Sequence, residues 1–444
     1  MKNQENGTLT FLQRSSTLKM ILIGVLCMIL LIPTFMIMDI IRERENRNQA
    51  AQQEVAQKWA LNQTVNGPIL SIPYKIRKEV GDQFIIEDHT FHLLPDELNI
   101  DGQVDPEILR RGIYRIVVYQ SRLSINGSFD LKGLSSLPAE ADILLDDAFL
   151  TLGISDMRGI NEIVSFKIDD EELKIESGSR IPDMIASGIS LQPSLKSKEG
   201  HHSFAVQFDL RGSKNLSFVP LGGQTKIDLS SSWDAPSFVG AFLPKSRTVN
   251  ESGFTASWSA NQLNRNYPQS WSDHISGLNF QNSKFGVDLI LPLDDYQKSM
   301  RSAKYAILIL ALTFIVFFLV ELIFIRKIHV LQYILVGLAL CLFYILLVSI
   351  SEHWSFDAAY LISSILIVSM ITLYSIPIFR KRSASAVLSM ILVGLYGFLF
   401  VIIQMVDYAL VIGSIGLTAI LGALMYFTKN MDQLLQNSNS SHSE

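Results

Sequence analysis

Glu352, His353 and Asp357 fall together in the stretch "SEHWSFDAAY" (351–360). Two carboxylates and an imidazole at such spacing could exchange protons or hold a cation. Glu321, in "FFLVELIF", and Asp407, in "MVDYA", are further ionisable groups set in apolar surroundings. Elsewhere, His89 and His92 stand three apart beside Glu87 and Asp88, and His201 adjoins His202. Neighbouring residues of a strand point to opposite faces, so the His201-His202 pair is a poor chelate. "FIIEDHTFHLLP" reads as strand plus loop, which also counsels against a metal site at His89 and His92. Asp169, Asp170, Glu171 and Glu172 read as a solvated acidic turn, without the spaced oxygen ligands of a calcium loop. No G-x-S-x-G, H-E-x-x-H or phosphate-binding glycine motif occurs. The residues predict no catalytic set, no metal site and no cofactor.

The elements that position these residues are chiefly membrane spans. "LKMILIGVLCMILLIPTFMIMDI" (18–40) is long enough to cross a bilayer and too long for the apolar part of a cleaved signal. It predicts an uncleaved anchor, preceded by a cytoplasmic tail (1–17). A helical stalk (41–66) should follow, because that stretch is rich in helix formers. Five further spans are expected at about 304–325, 330–350, 358–379, 384–405 and 409–428. They would form a bundle (304–428) before a polar, disordered cytoplasmic tail (429–444). Glu352, His353 and Asp357 then occupy a tight turn between two spans. Asp357 and Asp407 are expected to cap the helices that follow them, and Glu321 to pair with Arg326, Lys327 or a neighbouring helix.

Small residues line the last two spans, at Gly394, Gly397, Gly413, Gly416, Ala419 and Ala423. Such stripes permit close helix packing and favour a compact bundle over a pore. Basic residues set the orientation. Arg326, Lys327, Arg380, Lys381, Arg382 and Lys429 fall on one side if the spans alternate, together with Lys2, Arg14 and Lys19. Arg42, Arg44 and Arg47 argue the other way. The balance predicts cytoplasmic termini, with Glu352, His353, Asp357, Asp294, Asp295 and Asp407 on an acidic outer rim.

The intervening segment (67–303) is soluble in character and predicts a β-rich domain, of one lobe or two. Short β-compatible runs recur from "ILSIPYKI" (69–76) to "FGVDLILPL", punctuated by Gly, Pro, Asn and Asp. Asn126-Gly127 is a strong turn signal, and helical insertions are expected near 138–147 and 257–267. Both cysteines, Cys27 and Cys341, lie in apolar runs, which leaves this domain without a disulfide or a thiol nucleophile. A net charge of -5 offers no basic surface for nucleic acid. The expected fold class is therefore a membrane α-helical bundle, with one anchor and five C-terminal helices, plus a large extracytoplasmic β-rich (α+β) domain.

"RGIYRIVVY" (111–119), "LSFVPLGGQTKIDLSSSWDAPSFVGAFLP" (216–244), "FTASWSANQLNRNYPQSW" (254–271) and the long run from "FGVDLILPL" into the second span resemble the CreD family of bacterial inner membrane proteins. The likeness continues through "HVLQYILVGLALCLFYILLVSISEHWSFDAAY" (329–360) and covers nearly the whole chain from the anchor to Lys429. Val330 stands where the family has a helix-starting proline, a helpful but dispensable residue. The resemblance implies an inner membrane location in Gram-negative bacteria and a periplasmic domain. It also implies a role in envelope integrity, with associations to colicin tolerance and to envelope or β-lactam stress. It supplies no catalytic residues.

The expected function is non-catalytic binding or scaffolding at the periplasmic face. The expected partners are the lipid bilayer and a protein, lipid or cell-wall component. A transporter or lipid-handling protein is the second reading, and its site would use Glu321 and Asp357.

Overall fold

A computed structural model describes residues 16–80, 82–195, 197, 200–274, 277, 279–291, 295–323, 328–405 and 408–428. The chain divides into two compact units, Met1–Asn48 with Leu293–Glu444, and Gln49–Pro292.

The first unit is helical. Helix α1 (Ser16–Trp59) is continuous through Pro33, and the unit boundary falls within it. It is followed in this unit by α2 (Asp295–Lys304), α3 (Ala306–Ile323), α4 (Val330–Ser351), α5 (Phe356–Phe379), α6 (Arg382–Gln404) and α7 (Ala409–Thr428). Among the described residues, four helices (α1, α4, α5 and α6) are long and apolar enough to cross a membrane. A fifth follows if α2 and α3, bent by 42° at their junction, form one span. The bundle interior is aromatic, with Phe314, Phe317, Tyr333, Phe343 and Tyr344 fully enclosed. Its outside is equally apolar: Leu373 is 67% exposed and Met390 75%. Such a surface suits lipid and would be unfavourable in water.

The small-residue stripe makes fewer close contacts than its spacing suggests. A Cβ on Gly416 would collide with the Phe398 ring, but Gly394 and Gly397 face open space. A close approach of α1 to the bundle is found instead at Gly337 of α4, where a Cβ would lie 2.2 Å from Leu30.

The second unit is built from two sheets. In the ten-stranded sheet the path runs Pro236–Gly240, Phe285–Leu289, Asn215–Val219, Gln63–Val80, Phe149–Ile154, Gly188–Leu191 and Ile175–Ser177, with Gln83–Leu93, Ser270–Ser272 and Asp142–Ile143 beside it. The eight-stranded sheet runs Ser246–Asn250, Gly253–Asn261, Gln224–Ser231, Glu97–Arg111, Tyr114–Asp130, His201–Ser213, Ile160–Ile168 and Glu171–Glu172. Strict alternation in Glu97–Val104 puts Leu98, Ile100 and Val104 inside and the polar residues outside. The two sheets share one hydrophobic core, in which Ile69, Leu150 and Phe218 join Ile100, Leu123 and Phe208.

Two expectations fail here. Asn126-Gly127 is not a turn but lies inside the strand Tyr114–Asp130, paired to Asn99 and Leu98. Its glycine answers a different need, since a Cβ there would meet Glu97 O at 2.2 Å and the Phe204 ring at 2.5 Å. The helical insertions are also absent among the described residues. Residues 138–147 hold a two-residue strand and the 3₁₀ turn Leu145–Asp147, while Ser257 lies in a strand that ends at the 3₁₀ turn Gln262–Asn264.

Candidate functional site

Lys19 and Glu321 meet in the helical unit. Lys19 Nζ donates to Glu321 Oε1, and also to Ile328 O at 2.7 Å. The Ile328 N–H reaches the same Oε1 at 3.2 Å, and the Tyr333 hydroxyl donates to Oε2 at 3.0 Å. Glu321 is 9% exposed, so both of its oxygens and its charge are satisfied with little water. A carboxylate left alone in such a place would be costly. Arg326 and Lys327, named from sequence as partners for Glu321, lie outside the described residues.

Further along α1, at Arg44, there is a second polar contact. Arg44 Nε lies 3.5 Å from Glu352 Oε1, and the Tyr296 hydroxyl donates to the same oxygen at 3.4 Å. At about 1.5 Å per residue, Lys19 and Arg44 are about 38 Å apart along the helix. That separation is somewhat more than the apolar core of a bilayer, which is about 30 Å thick. Arg42 and Arg47 pair with Asp39 and Glu43 on α1 itself.

The turn after α4 does not gather its ionisable groups into one site. Glu352 ends α4 and engages Arg44 and Tyr296. His353 is exposed, and its ring has no hydrogen-bond partner among the described residues. Asp357 accepts from Gln404 Nε2 at 2.5 Å. Asp357 is not the helix cap expected from sequence. Ser355 holds that position and accepts the Ala358 N–H, because its side chain precedes the first helical residue. Asp357 sits one turn position further in, where the helix dipole still favours a carboxylate. Asp407 lies outside the described residues, as does Asp294.

In the β-rich unit, the outward face of the eight-stranded sheet carries a groove of about 680 Å³. Asp101, Gln103, Arg122, Ser124, Gln207, Asp228, Ser230, Arg247, Thr248, Thr255 and Ser257 line it. Strand alternation brings them to this face, and register sets Asp101 beside Asp228 on one side and Ser124 on the other. Burial works against the Asp228 carboxylate, yet hydrogen bonds from Lys226 and Ser257 outweigh it and hold its pKa below the usual value. Lys226 Nζ is 2.7 Å away. The lining offers many donors and acceptors but no thiol or imidazole, which suits binding more than covalent chemistry. Sequence reading missed this groove. Its residues look like any solvated strand face until the pairing of the strands is known.

Two histidines of this unit, His89 and His202, each find an aspartate far away in sequence. His89 Nδ1 lies 2.6 Å from Asp273 Oδ2, while Thr90 N–H donates to Asp273 Oδ1 and Asp273 N–H to Thr90 O. His202, Ser203 and Asp169 repeat that clasp, with His202 Nδ1 2.5 Å from Asp169 Oδ2. Both aspartates have positive φ, 55° and 47°. His92 points to the other side of its strand from His89 and is buried against Ser71 and Trp271.

Apolar helices with paired ionisable groups, joined in sequence to a large two-sheet β domain, define a helical membrane protein with a substantial polar domain. The chain belongs to the CreD family. The family described as "Inner membrane protein CreD" matches residues 15–433. The Escherichia coli (strain K12) protein of that description is 32% identical over 416 residues, covering 91% of each chain. Family membership and the apolar helices together support an inner membrane location.

Proposed function

We propose that this inner membrane protein binds a partner at the periplasmic face through its β-rich domain, without chemistry, and so supports the integrity of the cell envelope. The observation that carries this reading is the open polar groove on the eight-stranded sheet, rich in hydrogen-bonding side chains and lined by neither thiol nor imidazole. Its occupant is a protein, lipid or cell-wall component. In this reading six spans cross the bilayer and both termini are cytoplasmic. The polar part of α1 from residue 41 forms a stalk that ends at Trp59, short of the expected residue 66, because the strand Gln63–Val80 begins before that point. Arg42, Arg44 and Arg47 count against that orientation by the basic-residue rule, and the repeated basic residues between the later spans outweigh them.

A strain lacking the protein, complemented with an Asp101→Lys/Arg247→Glu chain, tests the reading. Both changes are on the groove face and leave the core intact. Resistance to detergent or β-lactam stress should fall to that of the empty strain while protein abundance is unchanged. Full complementation by this variant would exclude the groove from function. A transport reading draws on one specific feature, the nearly buried Glu321 carboxylate. It requires Glu321→Ala to abolish activity at unchanged abundance.

A further inference from the structure

We infer that Asp96, Asp130 and His201 form a binding site for a divalent transition cation of the zinc class in the β-rich domain. Each of the three offers a ligand atom, and these atoms lie within 4.8 Å of one another. They come from three separate segments. Asp96 precedes the strand Glu97–Arg111, Asp130 ends Tyr114–Asp130, and His201 opens His201–Ser213. Their backbones are fixed. The Asp96 N–H donates to Ser128 O at 2.9 Å, and Asp96 O accepts from Gln224 N–H at 2.7 Å. His201 is paired with Asp130 in the strand register, and the Leu131 N–H donates to Gly200 O at 3.1 Å.

The charge arrangement is incomplete without a cation. Two carboxylates adjoin here, those of Asp96 and Asp130. Lys132 Nζ lies 3.3 Å and His201 Nε2 3.7 Å from Asp130 Oδ2, and His201 also lies beside Asp96. Asp96 Oδ2, by contrast, is shut off from solvent and has no hydrogen-bond partner among the described residues. An enclosed acceptor without a donor is destabilising, and a bound cation would satisfy it.

One imidazole nitrogen and two carboxylate oxygens form a donor set that zinc accepts, with water as a fourth ligand. Tetrahedral zinc at bond lengths of about 2.1 Å needs donors roughly 3.4 Å apart, so the three atoms must draw inward by about an ångström. The His201 ring, 63% exposed, is free to swing in, and the 77% exposed Lys132 is free to leave. His202 takes no part, because it faces the other side of the strand and is held by Asp169.

The test uses the full-length chain in detergent, stripped with a chelator and then equilibrated with Zn²⁺ alone, with bound zinc per chain and thermal midpoint as readouts. The wild type should take up zinc and gain thermal stability. Asp96→Asn and His201→Ala should each weaken binding roughly tenfold or more, as expected for loss of one protein ligand of three. His202→Ala should bind as the wild type does, and Lys132→Ala should bind more tightly because it removes a competitor for Asp130. His201 is exposed, so its variant decides the matter if Asp96→Asn does not accumulate. Wild-type uptake no greater than that of His201→Ala, or an equal loss in His202→Ala, overturns the inference.

Discussion

Lys19 and Glu321 are 302 positions apart in sequence, yet their side chains form an ion pair that ties α1 to the far end of α3. Tyr333 and the Ile328 backbone complete the Glu321 carboxylate from α4 and the segment before it. The anchor is therefore part of the bundle and not a separate tether.

Removing one member of this pair leaves the other charged and nearly buried. Lys19→Met or Glu321→Gln should each destabilise the helical unit by about 3 kcal/mol, the lower range for a broken buried pair. The double variant should cost less than the sum of the two. Thermal unfolding in detergent, read as a double-mutant cycle, checks this. Additive losses would mean that the two side chains are not coupled.

The contact further along α1 is more exposed, with Arg44 at 40% and Glu352 at 11%. Glu352→Gln should cost about 1 kcal/mol or less, and salt should reduce the effect further. His353→Ala should change stability by no more than about 0.5 kcal/mol, since its ring only faces solvent. A midpoint shift for His353→Ala as large as that for Glu321→Gln would reassign importance to the turn.

His92 predicts an acid-sensitive β domain. Burial pushes its imidazole down to about 4, against an unfolded value of about 6.5. Between those values the unfolded chain binds a proton that the folded chain refuses, so stability falls as pH drops from 6.5 toward 4. The full effect is roughly 3 kcal/mol, from about 1.4 kcal/mol per unit. Trp271, whose ring centre is 5.5 Å from that of His92, offers a fluorescence readout. His92→Gln should flatten the acid limb, whatever its effect at neutral pH. An unchanged slope would remove His92 as the cause.

Gly127→Ala should destabilise the β domain by about 1–3 kcal/mol, because the added methyl meets backbone at Glu97 as well as the Phe204 ring. Chemical unfolding of the variant measures it. A neutral result would show that the strand pair yields there.

These cases explain what could be read from the chain alone. The apolar runs at 18–40 and 330–405 announce helices because their composition is a local property. The alternation in Glu97–Val104 announces a strand for the same reason. Asn126-Gly127 misleads because a glycine required for close approach looks identical to one required for a turn. Asp357 misleads because Ser355 and Asp357 are both good capping residues, and only the helix start chooses between them. The partners of Glu321, Glu352, His89 and His202 were hidden by distance, since no local pattern links residues that the fold alone brings together. The groove was hidden because strand order and register, which bring its lining together, have no signature in a strand's polar positions.

The central claim is that the β domain binds a partner through the groove face. A photo-crosslinking residue placed at Thr255, inside the groove, can be compared in native membranes with one at Ser259, an exposed position further along the same strand. The account predicts a discrete, saturable adduct from Thr255 that is lost on adding Asp101→Lys, and none from Ser259. Equal labelling from both positions, or no adduct from Thr255, would contradict it.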